Sequence, residues 1–238
     1  MDLLPSGARR VAFFGGSFDP PHLGHVAVAR AARDALQLDA VLFAPVGAQP
    51  LKPQGSSASF DDRLAMTRLA IAGEPEFAIS LADAPNASGT PNYTLETLRG
   101  FRAELPADGE LFCLMGADSF LNLRQWRRAA EIPFAAQLIV ASRPGQSLDD
   151  LAAALPTGLA IKPAPELASG HGEPGSPVEI RSFWLQGSGG DAMRFYLLPG
   201  LYIEISATEI REHLRLGSGA HLLSPAVADY ILSHHLYR

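Results

Sequence analysis

The sequence predicts an α/β fold: a doubly wound parallel sheet with helices on both faces and a C-terminal helical segment. Two observations predict it. Through the first half of the chain, short apolar runs alternate with stretches of helical spacing. That alternation marks βαβ units, whose parallel strands are covered on both faces and so read as continuous apolar runs. Hydrophobic residues also fill 47% of the 238 positions against 18% charged, enough for a sizeable core, which excludes disordered and fibrous classes. The length fits one α/β domain over residues 1–238.

The elements follow in order. Val11–Phe14 is the first strand, and a helix fits His22 to Leu36. Strand Ala40–Ala44 precedes a helix over Phe60 to Ala72, and strand Phe77–Ser80 precedes one over Tyr93 to Leu105. Leu111–Met115 is the next strand, followed by a helix over Ser119 to Ala130 and strand Leu138–Ala141. Each helix is rich in Ala, Leu and Arg, with apolar positions three or four apart. Right-handed crossovers follow from the chirality of such units. From Pro163 to Gly190, half of the 28 positions are Gly, Pro or Ser, which predicts a long, partly disordered surface excursion. Strands Phe195–Leu198 and Tyr202–Ile205 come next, then helices from about Ser206 to Leu216 and from Pro225 to His235.

Charge narrows the partners. Lys and Arg number 19 against 25 Asp and Glu, a net of −6. That is the wrong sign for a protein that neutralises many phosphates, so a nucleic acid polymer is not expected as a partner. A small phosphorylated ligand stays open, because a few placed groups can hold one phosphate against an acidic average. The single cysteine, Cys113, lies in an apolar run, so neither an internal disulfide nor a thiolate metal cluster is expected. No segment reads as a signal peptide or a bilayer span, which points to the cytoplasm without a membrane partner. A homo-oligomer stays open.

The most informative stretch runs from Phe13 through Gly15, Gly16, Ser17, Phe18, Asp19, Pro20, Pro21 and His22 to His25. A buried strand enters two glycines, where the backbone can approach a ligand that a Cβ would block. Two prolines then fix the turn before a helix. His22 and His25 share one face of its first turn, where free N–H groups and the helix dipole favour an anion. Imidazoles there can donate to phosphate oxygens. A metal site is disfavoured, since no further His or Cys stands at ligand spacing.

A second motif, Ser206-Ala207-Thr208-Glu209-Ile210-Arg211, follows a short apolar strand. Ser206 with Glu209 is a capping box that could open any helix. Thr208 and Arg211, one turn apart, could equally share an oxyanion with the helix amides, for which the arginine fork is well shaped.

Together these motifs resemble the Gly-Gly-(Thr/Ser)-Phe-Asp-Pro-x-His-x-Gly-His and Ser-x-Thr-x-x-Arg signatures of the HxGH nucleotidyltransferase superfamily, whose sheet is Rossmann-like. Further matches are Asn92-Tyr93-Thr94, Gly116-Ala117-Asp118 with Trp126 beyond, Ser142-Arg143-Pro144-Gly145 and Leu236-Tyr237-Arg238. They make the chain similar to the bacterial nicotinate-nucleotide adenylyltransferases over most of its length, excepting about 148–192. The resemblance implies transfer of AMP from ATP to nicotinate mononucleotide with Mg2+ carried by ATP, no dedicated protein ligand set for the metal, and no covalent enzyme intermediate.

The resemblance also implies roles. His22 and His25 would contact the reacting phosphates, and Arg211 with Ser206 and Thr208 the departing pyrophosphate. ATP would also meet Gly15, Gly16, Ser17 and Phe18. Lys52 would lean on the phosphates, Gly116 and Asp118 would meet ribose, and Trp126 would stack on the pyridine ring with Thr94 and Arg143 nearby. Gly16, Ser17 and Lys52 would serve the mononucleotide as well. Plainer readings stand beside these: Trp126 as a helix residue packed on the core, Lys52 as a solvated lysine, and Asp118 as the cap of a helix near Ser119. The loop reading Gln49-Pro50-Leu51-Lys52 departs from the family's common Pro-Pro-His-Lys. Competing activities are the same fold acting on nicotinamide mononucleotide or phosphopantetheine, and a catalytically silent nucleotide-binding regulator.

Overall fold

The structure, a computed structural model, describes residues 4–49, 51, 55–142, 148–164, 180–198 and 206–238. β1 (Arg10–Gly16), α1 (Leu23–Leu36), β2 (Ala40–Pro45), α2 (Phe60–Ile71), β3 (Phe77–Ile79), α3 (Thr94–Glu104) and β4 (Glu110–Gly116) alternate as the apolar rhythm predicts. α4 (Ala117–Leu121), α5 (Ile132–Ala135), β5 (Gln137–Ala141) and α6 (Leu148–Ala153) follow. β6 (Leu159–Pro163), β7 (Arg181–Gly187) and β8 (Ala192–Leu198) complete the strands, and α7 (Ala207–Arg215) and α8 (Pro225–Ser233) come last.

The strands form one sheet in the order β3-β2-β1-β4-β5-β8-β7-β6. Every pair from β3 to β8 is parallel, and β7 runs against both its neighbours. β1 pairs on one side with β2 (Val11 opposite Ala40) and on the other with β4 (Val11 opposite Leu111). The strand order therefore reverses at β1, and the chain leaves β1 and β4 in different directions at their C-terminal ends. Such a switch point opens a crevice where open α/β sheets bind ligands.

Alternation along the strands builds two cores. Val11, Phe13, Leu42 and Cys113 face Leu98 and Phe101 of α3 and Phe120 of α4. Ala12, Phe14, Val41, Phe43 and Phe112 face Val26, Ala29 and Leu36 of α1. Each fully buried Leu or Phe contributes roughly 1.5–3 kcal/mol, so both helical layers are held firmly on the sheet. A third cluster joins Met66 of α2 to Ile210, Val227, Ile231 and Tyr237, which anchors the C-terminal segment on α2. Local signals set the helix ends: Ser59 and Ser224 accept from the Asp62 and Val227 amides, and Pro225 opens α8.

Two expectations are corrected. The helix over Ser119 to Ala130 is broken into α4 and two single 3-10 turns, Leu123–Gln125 and Ala129–Glu131. Asn122 Nδ2 donates back to the Asp118 carbonyl at 2.8 Å, a local bond that competes with helix continuation. Trp126 is extended and Arg128 left-handed at φ 53°. The stretch Pro163–Gly190 is also not wholly irregular, since it contains β7. Leu185 of that strand is fully buried, and Arg194 lies over the Trp184 ring at 4.2 Å. Gly, Pro and Ser dominate the segment's composition, but its Phe183-Trp184-Leu185 run carries strand propensity. The expected strand Tyr202–Ile205 and positions 165–179 of the excursion lie outside the described residues.

Candidate active site

At the crevice above β1 and β4 the structure forms a cleft of about 840 Å³. Its walls include Gly15, Gly16, Ser17, Phe18, His22, His25, Thr94, Gly116, Asp118, Trp126, Ser206, Thr208 and Arg211. Residues far apart in sequence, predicted separately to bind phosphate, ribose and ring, thus share one cavity. Lys52 and Arg143 lie outside the described residues.

His22 is the N-cap of α1, with extended backbone at φ −135°. Its N–H donates to His25 Nδ1 at 3.2 Å, and the His25 N–H donates to the His22 carbonyl at 2.9 Å. Because Nδ1 accepts, a neutral His25 ring carries its proton on Nε2 and offers that N–H as a donor. The two rings stand 3.7 Å apart, and the Phe18 ring meets His25 edge-on at 5.0 Å. Burial lowers the His22 pKa to about 4, while burial and then repulsion from His22 hold His25 well below the ordinary 6.5. Both imidazoles are neutral donors near pH 7.

This depression has a consequence for stability. Between pH 6.5 and about 4 the unfolded chain binds a proton at His22 that the folded chain refuses. Stability present above pH 6.5 is lost as the pH falls through that window, by on the order of 3 kcal/mol from His22. The melting temperature of the free protein is expected to fall more steeply from pH 7 to 4.5 than that of His22→Gln, and parallel curves would contradict the assignment.

The glycines answer to their own neighbours as well as to a ligand. A Cβ at Gly15 would meet the Phe13 ring at 2.6 Å, and one at Gly16 the Phe18 ring at 3.2 Å. Gly116 is different, because its Cβ would enter open space at the cleft wall. Gly116, not Asp118, caps α4, which starts at Ala117; Asp118 sits in the first turn and does not cap a helix near Ser119.

The second helix end on the cleft wall is the start of α7. Ser206 Oγ accepts from the Glu209 N–H at 3.2 Å, while Glu209 Oε2 accepts from the Ser206 N–H at 2.7 Å and its hydroxyl at 2.8 Å. The capping-box reading of Ser206 is therefore correct, and it coexists with a place on the cleft wall. Arg211 reaches across the fold: Nη1 donates to the Asp19 carbonyl at 2.7 Å and Nη2 to Thr208 Oγ1 at 3.1 Å. The amino ends of α1 and α7 thus converge on one cavity, each with a positive dipole end.

Trp126 packs partly buried on the first core cluster, as its plainer reading has it, but from extended backbone and not from a helix, and it also lines the cleft. Beside it Arg127 covers the Tyr93 ring at 4.5 Å, at the start of α3 that carries Thr94.

Three cleft or cleft-supporting groups escaped the sequence reading. Arg63, 2% exposed, donates to the carbonyls of Ser17 at 2.6 Å and Val46 at 2.8 Å, fixing the loop after β1. Asp83 is buried on the cleft wall; burial raises its pKa, opposed by a 2.5 Å hydrogen bond from the Thr97 hydroxyl. Asp19 accepts from the Ser57 N–H at 2.6 Å and the Ala58 N–H at 3.1 Å. Only the Asp-Pro of the first motif hinted at any of these. Among the described residues no three His, Cys, Asp or Glu side chains are grouped to hold a metal, and no helix is long and apolar enough to cross a membrane.

Known proteins are similar to this chain in sequence and in fold. The sequence profile of the cytidylyltransferase-like family matches residues 13–213. A protein of Laribacter hongkongensis named "Probable nicotinate-nucleotide adenylyltransferase" is 38% identical over 240 residues, covering 100% of this chain and 98% of that one. One of the same name from Citrifermentans bemidjiense is 36% identical over 229 residues, covering 96% and 98%. Two solved structures of Plasmodium falciparum nicotinic acid mononucleotide adenylyltransferase, complexed with APC and with NaAD, each superpose at a TM-score of 0.65. They cover 96% and 95% of this chain, and 97% and 96% of their own, at 15% and 17% identity, a likeness of fold.

Proposed function

The chain belongs to the nicotinate-nucleotide adenylyltransferase family, and on that premise we infer that it transfers the adenylyl group of ATP to nicotinate mononucleotide, giving nicotinate adenine dinucleotide and pyrophosphate. The observation that carries this reading is the convergence in one cleft of two helix amino ends, two neutral imidazoles and Arg211, with Trp126 on the same wall.

The chemistry asks little of an acid or base. A phosphate monoester with a second pKa near 6 is largely dianionic at pH 7, so a mononucleotide phosphate oxygen can attack the α-phosphorus of ATP without a proton being removed. One P–O bond forms there as the bond to the β-phosphate oxygen breaks, and the electron pair leaves on pyrophosphate. Magnesium enters and leaves with the phosphates as part of the substrate and product. Catalysis then rests on positioning and on hydrogen-bond donors aimed at the transferring phosphoryl group. His22 and His25 supply neutral N–H donors at the amino end of α1. Arg211, with Thr208 and the α7 amides, receives the charge that develops on pyrophosphate. Ser206 orders that helix end through its capping box.

Stacking on Trp126 would hold the pyridine ring. Base-like stacking is worth roughly 1–3 kcal/mol, so Trp126→Ala should raise the KM for the mononucleotide by roughly tenfold or more while changing that for ATP little. Steady-state kinetics against each substrate check this, and an effect confined to ATP would refute it.

The function itself is tested by pyrophosphate release from magnesium ATP with three acceptors in parallel: nicotinate mononucleotide, nicotinamide mononucleotide and phosphopantetheine. Strong preference for the first is expected. Preference for either of the others reassigns the acceptor, and silence with all three in a protein that binds ATP makes it a regulator.

A further inference from the structure

Beyond α8 the backbone turns back through two non-glycine residues in the left-handed region, His235 at φ 56° and Tyr237 at φ 60°. Each such residue costs about 1 kcal/mol or more and persists only where other contacts determine it. Here those contacts belong to Tyr237, whose 8% exposed side chain packs in the cluster with Ala58, Met66, Ile210 and Val227.

The polar end of that side chain reaches the machinery. Tyr237 Oη donates to Asp19 Oδ1 at 2.7 Å. Asp19 is 4% exposed and stands in the loop between β1 and α1, three residues before His22. The same carboxylate accepts from the Ser57 and Ala58 amides, and Arg211 Nη1 lies 3.8 Å from its Oδ2 while donating to the residue's own carbonyl. One buried carboxylate therefore joins four separate segments: the histidine loop, the loop before α2, the start of α7 and the segment after α8. Burial, then the neighbouring Asp19, raises the phenol pKa, which keeps its proton in place as a donor.

We propose that Tyr237 is a positioning residue for adenylyl transfer, holding Asp19 so that the histidine loop and Arg211 stand in register around the phosphates of a nucleoside triphosphate. The proposal rests on the functional reading above. It is independent of the acceptor subsite at Trp126, so its effect should fall on the triphosphate side alone.

Tyr237→Phe keeps the ring in the apolar cluster and removes the donor. The expected result is about a tenfold lower kcat and a severalfold higher KM for magnesium ATP, with the KM for nicotinate mononucleotide within twofold of wild type. Tyr230→Phe is the control: its phenol on α8 donates to Asp62 at 3.0 Å, outside the network, and it should leave all three constants unchanged. A purely structural Tyr237 would reduce the fraction of folded enzyme and leave both KM values alone, and that result overturns the proposal. Should Tyr237→Phe fail to fold, 3-fluorotyrosine at position 237 retains the phenol and reports by 19F NMR. Its signal is expected to shift with magnesium ATP and to stay with nicotinate mononucleotide alone, and no shift with ATP overturns the proposal. Wild-type enzyme that makes no nicotinate adenine dinucleotide would sink the functional reading, whereas an active wild type matched by Tyr237→Phe sinks only the role of Tyr237.

Discussion

Replacing His22 with alanine should lower kcat for adenylyl transfer by about a thousandfold or more, while the far-UV circular dichroism stays that of the wild type. The side chain sits at the amino end of α1 on the cleft wall, and an aimed donor to a developing charge is worth 10²–10³ or more in rate. The main-chain bonds of the helix start remain without that ring, because the His22 N–H is held by His25 Nδ1 and the His22 carbonyl by the His25 amide. The loss should therefore appear in turnover. Near-normal kcat in a folded His22→Ala protein would remove His22 from the mechanism and leave His25 as the sole imidazole donor at that helix end.

Arg211→Lys should reduce kcat/KM for ATP by about a hundredfold although the charge is kept. The guanidinium spans two fixed acceptors, the Asp19 carbonyl and Thr208 Oγ1, with two different nitrogens, and so presents a preset plane to an incoming phosphate. A lysine ammonium is a point donor on a flexible stem and cannot reproduce that fork. Arg211→Ala should fall further. A lysine variant with wild-type kcat/KM would show that only charge is required at the start of α7.

Much of this architecture was legible in the sequence, and the reason is local. The strands from β1 to β5 carry their own signal as continuous apolar runs, and α1 and α3 carry 3.6-residue periodicity, so each of these elements declares itself within its own segment. The two motifs on the cleft wall were legible for the same reason: each ends at a helix start, and the side chains it places on the cleft lie within about one helical turn. What failed lay outside periodicity. The break after α4 depends on a local side-chain bond from Asn122 back to Asp118 and on Trp126 packing on the core while lining the cleft, neither of which a periodicity count registers. β7 was hidden by flanking glycines and prolines and exists because β8 offers it an edge to pair with. Arg63, Asp83 and Tyr237 act through partners 14 to 218 positions away, and no spacing rule reaches that far.

The glycines mark the boundary between the two kinds of information. Position 15 reads as a ligand approach, and the Phe13 ring in the structure demands glycine there on its own account. Position 116 carries less sequence signal, yet it is where an added methyl would enter the open cleft. A residue type can be right for a reason that only the packing reveals.

The central claim is that the cleft brings two substrates together for direct transfer, with no group of the protein taking the adenylyl moiety. The most direct measurement is the stereochemical course at the α-phosphorus, using ATP made chiral there by sulfur substitution and nicotinate mononucleotide as acceptor. A single in-line displacement predicts inversion of configuration in the dinucleotide product. Retention would require an even number of displacements, and so a covalent adenylyl-enzyme, and would contradict a mechanism built on positioning by His22, His25 and Arg211.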